Sequence, residues 1–183
     1  MTKPKLVVLT GMPAAGKSVV AERLMRDHGF VRLSTDELRL AFYGTDLTGL
    51  KKKGEEGVIN NYLMWDSIER LKQAYLYSGK NVVIDSTGED DCLRESLMKL
   101  PEEYFKEGSV EIYLVSLETT RELLEQRYKA RGSPEGVIDL FNHFKSPTKE
   151  KYGDKLIVIE NVPGRDLPSL YGALEKIIGQ EKI

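Results

Sequence analysis

The chain has 183 residues, of which 31% are charged and 40% hydrophobic, with 27 basic and 29 acidic side chains and a formal charge of −2. This composition is typical of one globular domain spanning 1–183, and it argues against a disordered chain or one that holds long duplex DNA by bulk positive charge. No apolar run approaches the roughly 18 residues of a membrane span, and the single Cys92 cannot form an internal disulfide, so we expect a cytoplasmic protein without a membrane partner.

Short apolar runs alternate with helical patterns along the chain. Strands are predicted at 6–9, 30–33, 81–84, 110–115 and 156–159, and helices at about 17–28, 36–43, 55–78, 90–100, 119–131 and 166–179. This alternation predicts an α/β fold, a three-layer P-loop NTPase architecture with a parallel sheet covered on both faces. Ligands bind such sheets at the carboxyl ends of the strands, which directs attention to the residues after each strand.

A phosphate-binding loop follows the first predicted strand. The segment from Gly11 to Ser18 matches G-x-x-x-x-G-K-[ST] in full and lies between a strand and a helix, as that motif requires. Lys17 is expected to bridge the β- and γ-phosphates, and the Ser18 hydroxyl to hold Mg²⁺. The absence of an Asn-Lys-x-Asp signature favours ATP over GTP as the donor. The predicted ATP-binding residues of this segment are Gly11, Met12, Pro13, Ala14, Ala15, Gly16, Lys17, Ser18 and Val19.

An acid and an arginine follow the second strand. Asp36 and Arg39 are three residues apart and therefore share one face of a helix start. A carboxylate here can take the proton from an attacking hydroxyl, and an arginine one turn later can hold a phosphate of the acceptor. The alternative is structural, because Ser34 and Glu37 have the spacing of a capping box and Asp36 also suits a first helical turn.

A second candidate carboxylate directly follows the third predicted strand, at 81–84. Asp85 occupies the Walker-B position, where an acid supports Mg²⁺, and Thr87 after it is a candidate acceptor contact together with Ser86. The alternative is that Asp85 or Ser86 caps the next helix.

Two arginines mark a predicted lid at approximately 127–152. Arg127 and Arg131 are four residues apart on a helix that runs into Gly-Ser-Pro, so both lie on one face. There they would neutralise charge on the transferring phosphoryl group. Arg121 fits a solvated helix face with Glu125 better.

Together these residues resemble the kinase domain of the polynucleotide 5′-hydroxyl kinases, from Leu6 to about Phe144. The likeness comprises the Pro-containing P-loop, Asp36-x-x-Arg39, the Asp85-Ser-Thr87 segment and Arg127-x-x-x-Arg131. It implies that Asp36 is the general base, that Arg39 holds the phosphate flanking the acceptor nucleotide, and that Arg131 assists transfer.

The sequence departs from that family in ways that leave the acceptor open. Ala14-Ala15 stands where the family often has Gly-Ser, and the same motifs resemble seryl-tRNA kinases, antibiotic phosphotransferases and zeta-type toxins. We therefore expect an ATP- and Mg²⁺-dependent kinase acting on the 5′-hydroxyl of a polynucleotide. The alternatives are a kinase of a nucleoside, sugar nucleotide or antibiotic, and a nucleotide-binding switch. Lys51 to Lys53 could guide a nucleic-acid strand, or they could simply form an exposed loop. Tyr62 or Trp65 could stack on a nucleobase of the acceptor, or pack against the sheet.

Overall fold

The computed structural model describes residues 2–44, 54–130, 143–161 and 167–179. Its five strands are β1 (Lys5–Thr10), β2 (Val31–Ser34), β3 (Val82–Asp85), β4 (Glu111–Glu118) and β5 (Leu156–Glu160). Each lies within a few residues of a predicted strand, because each is a short apolar run bounded by polar residues.

Within the described residues, seven α-helices connect and cover these strands. They are α1 (Lys17–His28), α2 (Thr35–Tyr43), α3 (Glu55–Tyr77), α4 (Asp91–Met98), α5 (Arg121–Ala130), α6 (Lys149–Tyr152) and α7 (Leu167–Ile178). The short α6, which continues into a 3₁₀ turn over Gly153–Lys155, was not predicted, since one helical turn has no periodic pattern to detect. None of the described helices is both long and apolar enough to cross a membrane.

The strands form one sheet in the order β2-β3-β1-β4-β5, and every neighbouring pair is parallel. The predicted three-layer α/β fold is thereby confirmed. The register pairs Leu9 with Asp85 and Ser34 with Asp85, so three neighbouring strands end at the same level. The P-loop after β1 and the segments after β2 and β3 therefore leave the sheet side by side, at strand spacings of roughly 4.8 Å.

Alternating side chains divide the core into one cluster on each face of the sheet. On β1, Val7 and Leu9 belong to the cluster with α1, α5 and α7, whereas Leu6 and Val8 belong to the cluster with α3 and α4. All four are fully buried, and each contributes about 1.5–3 kcal/mol of hydrophobic stabilisation. The two apolar faces therefore fix the sheet between its helical layers.

Candidate functional site

The loop between β1 and α1 adopts a backbone that few residues can follow. Gly11 has φ +142°, Ala14 +62° and Gly16 +106°. A Cβ on Gly11 would lie 2.5 Å from the carbonyl oxygen of Leu117 on β4. The loop therefore rests directly on the end of the neighbouring strand, and glycine is required there by space as well as by conformation.

Two of the predicted phosphate-binding cations contact this loop. The buried Lys17 ammonium donates hydrogen bonds to the carbonyls of Gly11 at 2.8 Å and Met12 at 3.0 Å. Arg127 of α5 lies 113 residues later in the chain and donates from Nη1 to the carbonyl of Ala14 in this loop at 2.8 Å. The structure thus brings Lys17 and Arg127 together, whereas Arg131 lies outside the described residues.

The remaining P-loop residues divide by burial. Ser18 and Val19 are exposed in the first turn of α1, while Met12 and Ala15 pack into the core below the loop. Pro13 is half-buried at the rim. The loop is thus anchored in the core through its apolar side chains, and the hydroxyl predicted to bind metal is accessible.

The acid and arginine after β2 form an ion pair. Arg39 Nη1 lies 2.8 Å from Asp36 Oδ1, and the side chains are 5% and 83% exposed respectively. The Ser34 hydroxyl accepts the Glu37 amide at 3.3 Å and caps α2, so the capping role belongs to Ser34. Asp36 consequently presents an accessible carboxylate that a buried guanidinium holds in place.

Arg39 is itself held from α3. Its Nε donates to Asn61 Oδ1 at 3.0 Å, and its guanidinium carbon lies 5.8 Å from the centre of the Trp65 ring. Sequence reasoning missed Asn61, because its partner is 22 residues away and no local pattern links them. These contacts tie Asp36, through Arg39, to the long helix.

Asp85 is 5% exposed and pairs with Arg32 of β2, whose Nη2 lies 2.7 Å from Asp85 Oδ2. Burial disfavours the charge on Arg32 and by itself would lower the pKa of that guanidinium. The hydrogen bond and charge of Asp85, aided by Glu37, outweigh burial, so the pKa of Arg32 lies above its usual value. Asp85 does not cap the next helix, since Asp90 accepts the Leu93 amide at 2.8 Å in that role. Sequence reasoning also missed Arg32. The available signal was a single charged residue within an otherwise apolar predicted strand.

The oxygen donors at this edge suit a magnesium ion. Mg²⁺ prefers oxygen ligands and commonly takes several from phosphates and water. Ser18 supplies a hydroxyl and Asp85 a carboxylate, and beside Asp85 the buried Ser86 hydroxyl has no hydrogen-bond partner within the described part of the chain. The same described residues contain no cluster of three His, Cys, Asp or Glu side chains that would form a protein-only metal cage.

Thr87 and Asn161 also approach the P-loop. The Thr87 carbonyl accepts the Gly11 amide at 3.0 Å, so the segment after β3 is bonded to the start of the loop. Asn161, immediately after β5, donates from Nδ2 to the Ala15 carbonyl at 2.8 Å. Sequence reasoning missed Asn161, although it is a polar residue at the carboxyl end of a predicted strand and the same rule applied to it.

The site therefore combines a cation-lined P-loop with an accessible acid two strands away, and the loop defines the class as a P-loop protein. A family model described as an AAA domain (AAA_33) matches residues 6–143, and the chain belongs to this family. The prediction of a P-loop kinase resembling the polynucleotide kinases is confirmed at the level of family and fold.

Individual relatives span several acceptor classes. A curated adenylate kinase of Nitrobacter hamburgensis is 29% identical over 208 aligned positions, covering 97% of this chain and 95% of that protein. A sugar kinase structure from Janibacter sp. HTCC2649 superposes with TM-score 0.67 at 13% identity, covering 97% and 95% of the two chains. A chain of the Pnkp1/Rnl/Hen1 RNA repair complex gives TM-score 0.60 at 22% identity, with 79% of this chain and 44% of that chain covered.

Proposed function

We propose that this protein transfers the γ-phosphate of ATP to an acceptor hydroxyl, and that the acceptor is the 5′-hydroxyl of a polynucleotide. The observation that carries the proposal is the exposed Asp36 carboxylate, held by buried Arg39 beside the strand ends that carry the P-loop and Asp85. A protein that only binds or hydrolyses nucleotide needs no such fixed carboxylate on the acceptor side.

The reaction assigns one task to each group. Asp36 accepts the proton of the acceptor hydroxyl as its oxygen forms a bond to the γ-phosphorus. The bond from that phosphorus to the bridging oxygen breaks, and ADP leaves with the electron pair. Lys17 and Arg127, both already on the P-loop, neutralise the charge that spreads over the phosphate oxygens.

Ser18 and Asp85 are the residues that would hold Mg²⁺ beside the phosphates. When bound, Mg²⁺ supplies positive charge that neutralises phosphate oxygens. Arg32 keeps the Asp85 carboxylate in one orientation through its two contacts at 2.7 and 3.3 Å. Arg39 orients Asp36 through their ion pair and remains a proposed contact of the acceptor. Arg131 remains a proposed contact of the phosphoryl group, and Thr87 a proposed contact of the acceptor.

The exposure of Asp36, the proposed general base, supports a polynucleotide as the acceptor. Asp36 is 83% exposed at the sheet edge, so the terminal hydroxyl of a long molecule can reach it without entering a closed pocket. The proposal therefore places the 5′ end at Asp36 and the rest of the strand along the outer surface.

A second candidate, a small-molecule kinase, is favoured by a cavity between α3 and α4. It has a volume of about 610 Å³, which suits a nucleoside-sized ligand. Trp65 and Tyr62 lie at its α3 side, and Trp65 also contacts Arg39. The adenylate kinase relative, which matches over nearly the full length of the chain, adds nucleoside monophosphates to the acceptors worth testing.

The test of the general base is Asp36→Asn, which keeps the shape of the side chain and removes its basicity. We expect the rate of phosphoryl transfer to fall by about 10²–10⁴ while ATP affinity is unchanged. Lys17→Ala should instead lose ATP affinity. The matched control is Asp27→Asn, which removes an acid from another acid–arginine pair, with Arg23 at 3.3 Å on α1. Full activity in Asp36→Asn would contradict the proposed role.

The acceptor is identified by a competition assay with labelled ATP. The wild-type protein is offered a 5′-hydroxyl oligonucleotide, a nucleoside, a sugar nucleotide, an antibiotic, a sugar and AMP. Phosphorylation of the oligonucleotide supports the proposal, whereas exclusive use of a small molecule supports the second candidate. Slow hydrolysis that no acceptor stimulates would instead indicate a nucleotide-dependent switch.

A further inference from the structure

Arg94, in the first half of α4, is fully buried and is the largest fully buried side chain within the described residues. Its Nε donates to the Gly88 carbonyl at 2.8 Å and to the Thr10 hydroxyl at 3.1 Å. Its Nη1 pairs with Asp91 at 2.9 Å, and its Nη2 contacts the carbonyls of Glu89 and Lys145. The whole guanidinium is thus surrounded by oxygen acceptors.

Apart from Asp91 of α4 itself, the hydrogen-bond acceptors around Arg94 belong to three separate parts of the chain. Thr10 is the last residue of β1, directly before the P-loop, and Gly88 and Glu89 lie in the segment that follows β3. Lys145 follows the undescribed residues 131–142 of the predicted lid, and its amide donates to the Glu89 carbonyl at 3.0 Å. The ring of Phe144 lies 5.3 Å from the Arg94 guanidinium carbon. One side chain therefore joins the end of β1, the segment that follows β3 and the residues at 144–145.

Close packing at Gly88 makes this junction sensitive to small shifts. A Cβ on Gly88 would lie 3.0 Å from the Thr10 hydroxyl, and the Thr10 hydroxyl itself donates to the Gly88 carbonyl at 2.8 Å. The segment and β1 are therefore in contact through backbone and hydroxyl alone. Arg94 adds its own hydrogen bonds to both sides of this contact, at the Thr10 hydroxyl and the Gly88 carbonyl.

A buried charge is costly, and an apolar side chain of similar volume could fill this space without that cost. Only a guanidinium has enough planar donors to satisfy carbonyls from several segments at once. We propose that Arg94 is a positioning residue for the acceptor side: it holds the segment 86–90 and the end of the lid in register with the P-loop. This inference rests on the proposed function, since it assigns 86–90 to the acceptor.

The test compares Arg94→Met and Arg94→Lys with the wild type in steady-state kinetics. Arg94→Met should raise KM for the acceptor tenfold to a hundredfold, because misplacement of about 1 Å has effects of this size. The dissociation constant for ATP should stay within twofold, since Arg94 makes none of the P-loop contacts with Lys17 or Arg127. Arg94→Lys keeps the charge but loses the planar donors, and we expect an intermediate acceptor KM.

The matched control is Lys72→Met, which removes the other fully buried cation that contacts α4. Lys72 of α3 donates to the carbonyls of Leu97 at 3.0 Å and Lys99 at 2.8 Å, at the opposite end of the helix. Lys72→Met should lower stability without a selective change in acceptor KM. If both methionine variants change acceptor and ATP parameters alike, Arg94 has only a structural role and the inference is overturned.

Two further arms keep the outcome decisive. If Arg94→Met does not fold, Phe144→Leu removes the ring contact with Arg94 and keeps an apolar side chain against the core. An unchanged acceptor KM in that variant would overturn the inference. If the wild type phosphorylates no acceptor, hydrogen exchange separates this inference from the proposed function. Faster exchange at the amides of Gly11 and Lys145 in Arg94→Met, but not in Lys72→Met, supports the positioning role, and unchanged exchange overturns it.

Discussion

Gly11 has a conformation and a neighbour that no other residue tolerates. Its φ of +142° lies outside the range of ordinary residues, and the nearest atom to an added Cβ would be a backbone carbonyl oxygen at 2.5 Å, which cannot rotate away. The close approach of the P-loop to Leu117 is therefore a property of the backbone. The shape of the P-loop therefore requires that Gly11 has no side chain.

We expect Gly11→Ala to weaken ATP binding at least about tenfold and to lower the free energy of unfolding by about 1–3 kcal/mol, because the loop must move off β4. Isothermal titration with a non-hydrolysable ATP analogue and urea denaturation measure the two effects. Gly44→Ala is the control, since Gly44 also has positive φ (+65°) but has nothing within 4 Å of an added Cβ. Equal ATP affinity in wild type and Gly11→Ala would show that the contact with Leu117 is unimportant.

At the scale of elements, α3 and α4 are joined by a buried cation. Lys72 points from α3 to the carbonyls at the end of α4, where the helix leaves backbone acceptors unpaired. Burial lowers the pKa of Lys72, and the hydrogen bond and charge of Glu69 partly oppose that effect. Lys72 therefore holds α3 against the C-terminal end of α4, in the helical layer that also carries Arg94.

Lys72→Met should reduce the free energy of unfolding by about 1–3 kcal/mol, because the Leu97 and Lys99 carbonyls lose a charged donor. Urea denaturation followed by circular dichroism measures this loss. Arg70→Met is a suitable comparison, since Arg70 forms an exposed pair with Asp66 on the same helix and such pairs contribute little. A Lys72→Met protein as stable as the wild type would mean that water replaces the lost donor.

At the scale of the whole molecule, the short helix α6 is joined to the helical layer through Tyr152. Its hydroxyl donates to Asp91 Oδ1 at 2.7 Å, across 61 residues of chain. Burial, with the hydrogen bond and charge of Asp91, raises the pKa of Tyr152 to about 12. The same hydrogen bond, aided by Lys151 and Arg94, lowers the pKa of Asp91.

These shifts predict a loss of stability in alkali. Folded Tyr152 holds its proton more tightly than the unfolded tyrosine, whose pKa is 10.0, so its contribution is complete below about pH 10 and disappears as the pH rises through about 12. Urea denaturation at pH 9 and pH 11 should therefore show a smaller drop in Tyr152→Phe than in the wild type. Tyr77→Phe, at an exposed tyrosine, should behave as the wild type. Equal drops in all three proteins would contradict the assignment.

Much of the fold and part of the site were predictable because the sequence patterns that indicate them each span only a few consecutive residues. The P-loop spans eight residues, Asp36 and Arg39 are one helical turn apart, and each strand is a continuous apolar run. Such patterns report which groups are neighbours along the chain. They were sufficient to identify five strands, the nucleotide loop and the acid that follows β2.

Folding in three dimensions decided which distant groups meet. Arg32 pairs with Asp85 across 53 residues, Arg127 reaches Ala14 across 113, and Asn161 reaches Ala15 across 146. These contacts follow from the strand order β2-β3-β1-β4-β5, which differs from the order along the chain. That order depends on how two apolar faces are buried together, and periodicity within one segment carries no information about it.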